Sequence, residues 1–148
     1  MNEPPLGFLL VDTARLYRAR IDRAFEQAGL GLTAGEARTL AYVHLHPGSR
    51  QNALAIRMNV EPMTLVGFLD RLEAQGLVVR DADPSDRRAK IVRLTDAAEP
   101  LLAGVIAAAA QARVQALDGI GAAEQEIFRA VLLQVRDNLC ATLKGTEP

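Results

Sequence analysis

Glu61-Pro-Met-Thr-Leu-Val-Gly-Phe-Leu-Asp-Arg-Leu-Glu-Ala-Gln-Gly76, continued by Leu77-Val-Val-Arg-Asp-Ala-Asp-Pro-Ser-Asp-Arg-Arg-Ala-Lys-Ile-Val-Arg-Leu-Thr95, is the stretch that decides the fold. Its first half reads as one bounded helix. Pro62 suits the first helical position, where a missing N–H costs nothing. Leu65, Leu69 and Leu72 recur at helical spacing and make an apolar stripe. Gly76 can adopt the left-handed conformation that ends a helix, with Leu77 packing back on Leu72. The second half reads as a hairpin. Two β-branched runs, Leu77–Arg80 and Ile91–Leu94, flank a long, turn-rich tip holding Asp81, Asp83, Pro84 and Ser85. Asp86, Arg87, Arg88 and Lys90 make that tip cationic, and a cationic ribbon of this width fits a nucleic-acid groove. A solvated hairpin whose charges only maintain solubility is the plainer alternative.

The surroundings favour the first reading. The stripe-free face of the helix carries Met63, Thr64, Gly67, Phe68 and Arg71, with two apolar groups expected in the open. An ordinary solvated face would be richer in Glu and Lys; this one suits base edges and thymine methyls. Upstream, Thr33-Ala-Gly-Glu36 is a capping box that starts a helix running through Ala37–His46 and stopping at Pro47-Gly48. Gln51–Met58 forms a short helix with Leu54 and Met58 facing inward. The order helix, short helix, turn, helix, hairpin is that of a winged helix, whose second helix of the pair enters the major groove.

The run Leu32-Thr33, Leu69-Asp70-Arg71-Leu72-Glu73, Gly76-Leu77-Val78, Asp86-Arg87-Arg88-Ala89-Lys90 and Leu94-Thr95 strongly resembles MarR-type transcriptional regulators. Pro5-Leu6-Gly7, Arg15-Leu16-Tyr17-Arg18-Ala19 and Leu94-Thr95-Asp96-Ala97-Ala98-Glu99-Pro100-Leu101 are most similar to the SlyA branch. The resemblance covers nearly the whole chain. It implies a mainly α fold: a winged helix-turn-helix with a two-stranded β wing, flanked by N- and C-terminal dimerisation helices. The expected organisation is a single domain over 1–148, with a DNA-binding lobe at 32–95 and dimerisation helices at 5–28 and 96–143. The resemblance also assigns Pro62, Met63, Thr64, Gly67, Phe68 and Arg71 to the major groove. Ser85, Asp86, Arg87 and Arg88 belong to the wing, with one arginine entering the minor groove and Asp86 holding an arginine in a preset geometry. Relatives often carry a base-reading arginine where this chain has Gly67, so the operator does not carry over from them.

Length and composition agree with a small regulator. A chain of 148 residues supports one domain with a modest core. No apolar run reaches the length of a membrane span and no signal-peptide pattern opens the chain, so a cytoplasmic protein is expected. The single cysteine, Cys140, excludes an intrachain disulfide and suits a reducing compartment. Beside Leu139 and Leu143 it reads as a small buried hydrophobe. The net charge of −1 divides unevenly. Residues 15–93 hold thirteen basic and nine acidic side chains; residues 94–148 hold four and seven. Positive potential is thereby concentrated on the middle of the chain.

The ends have a different task. Residues 96–117 and 122–143 read as two long helices separated by Asp118-Gly-Ile-Gly121. Leu101, Leu102, Val105 and Ile106 on the first, and Ile127, Val131, Val135 and Leu139 on the second, exceed what one small winged helix can cover. An intrachain bundle is the alternative; the resemblance implies an intertwined homodimer that reads a near-palindromic duplex.

The resemblance further implies a small anionic effector, an aromatic carboxylate or its coenzyme A thioester, bound near Arg15, Arg18, Arg20, Arg38 and Tyr42. Ala37 and Ala41 stand where relatives place bulky stacking groups, which predicts a widened pocket. Pairing of the Arg15–Arg23 cluster with Asp22 and Glu26 is the competing account. Gly29-Leu-Gly-Leu-Thr-Ala34 matches a dinucleotide fingerprint but follows a helix instead of a strand, so it reads as a helix stop and loop. His44 and His46 lack zinc-site partners, and no nucleophile–base set can be assembled. Neither metal, cofactor nor catalysis is expected. The function expected is regulated binding of double-stranded DNA, as a repressor released by its effector. The alternatives are an activator or redox-responsive regulator of this fold, or a helical protein-interaction module.

Overall fold

A computed structural model describes residues 3–144. Residues 1–2 and 145–148, the ends of the expected 1–148 span, lie outside the described residues. The element order is α1 (Leu6–Gln27), α2 (Ala34–Leu45), α3 (Gln51–Met58), α4 (Pro62–Ala74), β1 (Val78–Asp83), β2 (Asp86–Leu94), a 3-10 turn (Asp96–Ala98), α5 (Glu99–Ala116) and α6 (Ala122–Lys144). Among the described residues the fold is mainly α, with one antiparallel β pair forming the wing. It divides into two compact units, Met1–Ala112 and Arg113–Pro148.

Local signals set most boundaries. The Thr33 hydroxyl accepts the Glu36 amide at 3.2 Å, and the Glu36 carboxylate accepts the Thr33 amide at 3.1 Å, closing the capping box. Helix α2 therefore starts at Ala34, three residues earlier than the apolar pattern suggests. Pro62 occupies the first turn of α4. At the other end Gly76 takes φ +71°, its amide donates to Glu73, and Leu77 donates to Leu72, the two-bond stop expected from Gly-Leu. Gly29 and Gly31, both at positive φ, lie in the loop after α1, so this glycine pair is a helix stop. Helix α1 begins at Leu6, with Pro5 as its N-cap.

Two apolar clusters build the first unit. In one, Leu65, Leu69 and Leu72 of α4 meet Leu40 and Val43 of α2, Leu54 and Met58 of α3, and Val78 and Val92 of the wing. The other joins Ala24 and Phe25 of α1, Ala37 of α2, and Val105, Ala108 and Ala112 of α5. Alanines there let the helices approach closely, and Gly104 leaves room for Leu30, whose side chain a Cβ would strike. Ala37 is wholly buried in this cluster. It is therefore core, and the pocket widening expected from a small residue at that position does not arise there. In the second unit, the Glu124 carboxylate caps α6 by accepting the Gly121 amide at 2.8 Å. Ile127, Phe128, Val131, Leu139 and Leu143 along α6 are exposed. Cys140 is exposed too, contrary to the buried hydrophobe expected, because the apolar stripe beside it is itself uncovered.

The α4 leucines are fully enclosed, so their loss creates a cavity that the surrounding helices only partly fill. Leu69→Ala is expected to lower unfolding free energy by about 2–5 kcal/mol, whereas exposed Met63→Ala stays within about 0.5 kcal/mol. Urea titration followed by circular dichroism checks both values.

Candidate nucleic-acid interface

Burying one stripe of α4 fixes what the helix shows. Pro62, Met63 and Thr64 are exposed at its N-terminal turn, with Met63 77% accessible, and Gly67 is half-buried one turn on. Beside the Gly67 position lies only the Arg71 guanidinium, 3.7 Å from where a Cβ would stand. Gly67 therefore adds no side chain to this face. Phe68 and Arg71 are also held within the lobe. Phe68 is half-buried against the first cluster, and its ring occupies the space that a Cβ on Gly35 would need. Arg71 stacks over that ring with its Cζ 5.6 Å from the centroid, and its Nε donates to Glu36 Oε1 at 2.6 Å. Both side chains are thus tied to α2, because aromatic area and a guanidinium fork each found a partner inside the lobe.

The wing is tied to α4 by a second set of charges. Arg80 on β1 donates to Asp70 at 2.6 Å and to Glu73. Desolvation pulls the Arg80 guanidinium down, but the hydrogen bonds to Asp70 and Glu73 outweigh it and leave it raised. Arg93 and Asp81 pair across the strands at 3.0 Å.

The hairpin is longer and tighter than the sequence suggests. Pairing runs from Val78 with Leu94 to Ala82 with Lys90, and then shifts so that Asp83 faces Asp86. Only Pro84 and Ser85 form the turn, and Arg87, Arg88 and Ala89 bulge from β2 without partners on β1. Asp83 closes the tip: its Oδ1 accepts both the amide (2.9 Å) and the hydroxyl (2.8 Å) of Ser85. Its Oδ2 accepts Arg50 Nε at 2.6 Å, and Arg50 Nη2 reaches the Ser85 hydroxyl at 3.2 Å. Arg50 is the N-cap of α3, and its backbone bridges to Ile91, while the Val92 amide donates to Ser49. The loop before α3 thereby supplies a third edge to the wing. The aspartate that holds an arginine is Asp83, not Asp86 as expected; Asp86 accepts the Arg88 amide at 3.1 Å. Arg87 and Arg88 are exposed, and their guanidinium groups have no partner among the described residues.

Glu36, Arg50, Arg80 and Asp83 are the residues the sequence reading missed. Asp83-x-Ser85 is an Asx-turn signal that could have marked Asp83. Nothing local could have paired it with Arg50, thirty-three residues away.

The residues expected to hold an effector each have contacts of their own within the lobe and α1. Arg15 pairs with Asp12 at 2.6 Å in the open. Arg18 donates to the Met58 carbonyl at 3.0 Å, linking α1 to the end of α3. Arg38 lies 3.1 Å from Asp22 off the hydrogen-bonding line, so Arg38 Nε and Nη1 and Asp22 Oδ1 are buried without a hydrogen-bond partner. Tyr42 packs on the first cluster with its ring 6.0 Å from that of His46. Arg20 is half-buried. No group of three metal-ligating side chains occurs among the described residues, and no described helix is long and apolar enough to cross a membrane.

The amide and hydroxyl of Ser85 hold the Asp83 carboxylate below its ordinary value, with Arg50 adding to the effect. Such a group binds its proton more weakly in the folded protein than in the unfolded chain. Its stabilisation is complete above about pH 4 and is lost as pH falls through the lowered value. Asp83→Asn should therefore flatten the acid limb of stability below that pH and leave the limb above it unchanged in slope. Thermal melts from pH 2 to 7 test this; an identical acid limb in the variant contradicts it.

This geometry recurs in known proteins. The MarR family model matches residues 32–90, from the loop before α2 through the wing. The solved transcriptional regulator PA3341 is 42% identical over 90% of this chain and 96% of its own, with a TM-score of 0.71. A probable transcriptional regulator from Pseudomonas aeruginosa is 30% identical over 88% of this chain and 96% of its own, with a TM-score of 0.67. The crystal structure of MarR superposes with a TM-score of 0.79 at 25% identity, over 99% of this chain and 98% of its own. The chain belongs to the MarR family of winged helix-turn-helix transcriptional regulators.

Proposed function

We propose that this protein is a homodimeric, cytoplasmic repressor of the SlyA-like branch that binds near-palindromic double-stranded DNA and is released by a small anionic effector. The observation that carries DNA binding is the pairing of an exposed α4 surface (Pro62, Met63, Thr64 and Gly67) with a wing whose bulge presents Arg87 and Arg88 unengaged. An arginine without an internal partner is available to a narrow minor groove, whereas Arg50, Arg71, Arg80 and Arg93 are already held. Ser85 and Asp86 shape the tip that carries them. Phe68 and Arg71 flank this surface, tied to α2, and are not its readers.

Dimerisation is supported by apolar area left open in each unit. Leu6, Phe8 and Val11 on α1 are each at least 70% exposed, and Leu143 on α6 is 74% exposed. Exposed apolar side chains of this kind, in either unit, favour an interface. MarR-family regulators bind DNA as dimers, and a twofold pair of α4 helices would read half-sites about one turn apart.

The effector reading rests on Arg38. Two of its buried nitrogens lack acceptors, and a carboxylate placed there would supply them. Arg18, Arg20 and Tyr42 are the further members of such a site, while Arg15 sits apart with Asp12. With Ala37 in the core, only Ala41 remains to enlarge the pocket. An aromatic carboxylate therefore fits more readily than its coenzyme A thioester.

Replacing both Arg87 and Arg88 by Ala should weaken binding to a selected duplex by about 1–3 kcal/mol, read by gel shift; unchanged binding removes the wing from the interface. Light scattering should give twice the chain mass of 16.0 kDa, and a monomer contradicts the dimer. Calorimetry with benzoate-type acids should show binding that Arg38→Ala abolishes while ligand-free DNA binding persists.

A further inference from the structure

In α2, Glu36 does more than cap its own helix. Its side chain is only 4% exposed, and each carboxylate oxygen has one donor: the Thr33 amide on Oε2 and Arg71 Nε on Oε1. A buried carboxylate is tolerated only while it is paired, so releasing Arg71 leaves an unpaired charge in the lobe. Arg71 is 54% exposed and could swing outward at little cost to itself. The asymmetry means that Glu36 dictates where Arg71 stays.

One residue earlier, Gly35 receives the Phe68 ring where any larger residue would clash, and the ring in turn lies under the Arg71 guanidinium. Gly35 and Glu36 are consecutive on α2; Phe68 and Arg71 are one turn apart on α4. The leucine stripe sets which face of α4 points inward, and two directional contacts at different heights narrow the residual roll that apolar packing allows. Successive residues lie about 100° apart around the helix, so a roll of a fraction of that angle already re-aims Thr64 and Gly67.

We propose that Glu36 is a positioning residue for sequence readout: through Arg71, with Gly35 receiving Phe68, it sets the roll of α4 and thereby which side chains face the bases. Arg71 contributes through Glu36 and does not itself contact DNA. This rests on the DNA-binding reading above.

The test uses the full-length protein and a duplex enriched by the wild type from a randomised pool, compared with a random duplex across a salt series. Variants are Glu36→Gln, Arg71→Gln and the double substitution. Glu36→Gln can still accept the Thr33 amide but loses the charge that holds Arg71. It should lower affinity for the enriched duplex about tenfold and leave random-duplex affinity and the salt slope unchanged. The double variant should lose no more than either single one, because both residues act as a unit. It also leaves no unpaired buried charge, so it carries the test if a single variant fails to fold.

Wild-type discrimination in Glu36→Gln or in the double variant overturns the proposal. So does a normal Glu36→Gln with an Arg71→Gln whose salt slope falls by about one, since Arg71 then touches phosphate. A wild type that enriches no duplex overturns the DNA-binding reading itself, and the proposal with it.

Discussion

The burial of Leu65, Leu69 and Leu72 is the constraint from which the geometry of the lobe follows. All three are fully enclosed by α2, α3 and the wing, and each contributes roughly 1.5–3 kcal/mol through removal from water. Once that stripe faces inward, a helix of thirteen residues has only the opposite arc to offer a partner. The apolar stripe is non-directional, however, and tolerates small shifts and rolls that keep the leucines buried. Direction comes from charge pairs at the rim: Arg71 with Glu36 on one flank, Arg80 with Asp70 and Glu73 on the other. Net stability gained from such part-buried pairs is small, but they exclude neighbouring orientations.

Legibility in the sequence follows the reach of each interaction. The capping box at Thr33 and Glu36, the Pro62 start and the Gly76-Leu77 stop were readable because their partners lie within a few residues. The leucine stripe was readable because helical periodicity announces it. What could not be read were contacts spanning more than thirty residues, such as Arg50 with Asp83 and Arg71 with Glu36. The tip was misjudged for the same reason: Asp81-Ala-Asp-Pro-Ser has loop composition, yet Arg50 and the Ser85 donors satisfy Asp83 and let the strands pair almost to the turn. The partners of Arg15, Arg18 and Arg38, which are Asp12, the Met58 carbonyl and Asp22, were likewise not readable from the resemblance that grouped them. Exposure was the hardest quantity to foresee. Cys140 and Ala37 were misplaced because an apolar neighbourhood in sequence does not say whether anything covers it.

Charge distribution acquires a clearer meaning in three dimensions. The net charge is −1. Yet Glu36, Asp70, Glu73, Asp81 and Asp83 are each engaged by an arginine of the same lobe. These acids are paired along the lobe. Arg87 and Arg88 remain without such partners among the described residues at the wing tip, so the local charge there is positive despite the net charge of the chain.

The shift of register between Ala82 and Asp83 has an evolutionary consequence. Three residues of β2 lie outside the ladder, below a turn that is closed independently by Asp83 and Ser85. Insertion or deletion within Arg87–Ala89 leaves the pairs from Val78–Leu94 to Ala82–Lys90 in phase, and Val92 stays in the core. The cationic extremity can thus change length and composition without re-folding its support. Divergence of target sequence among descendants of this chain is accordingly cheapest at the wing and most constrained at α4, where a single-residue change of register would misplace three leucines at once.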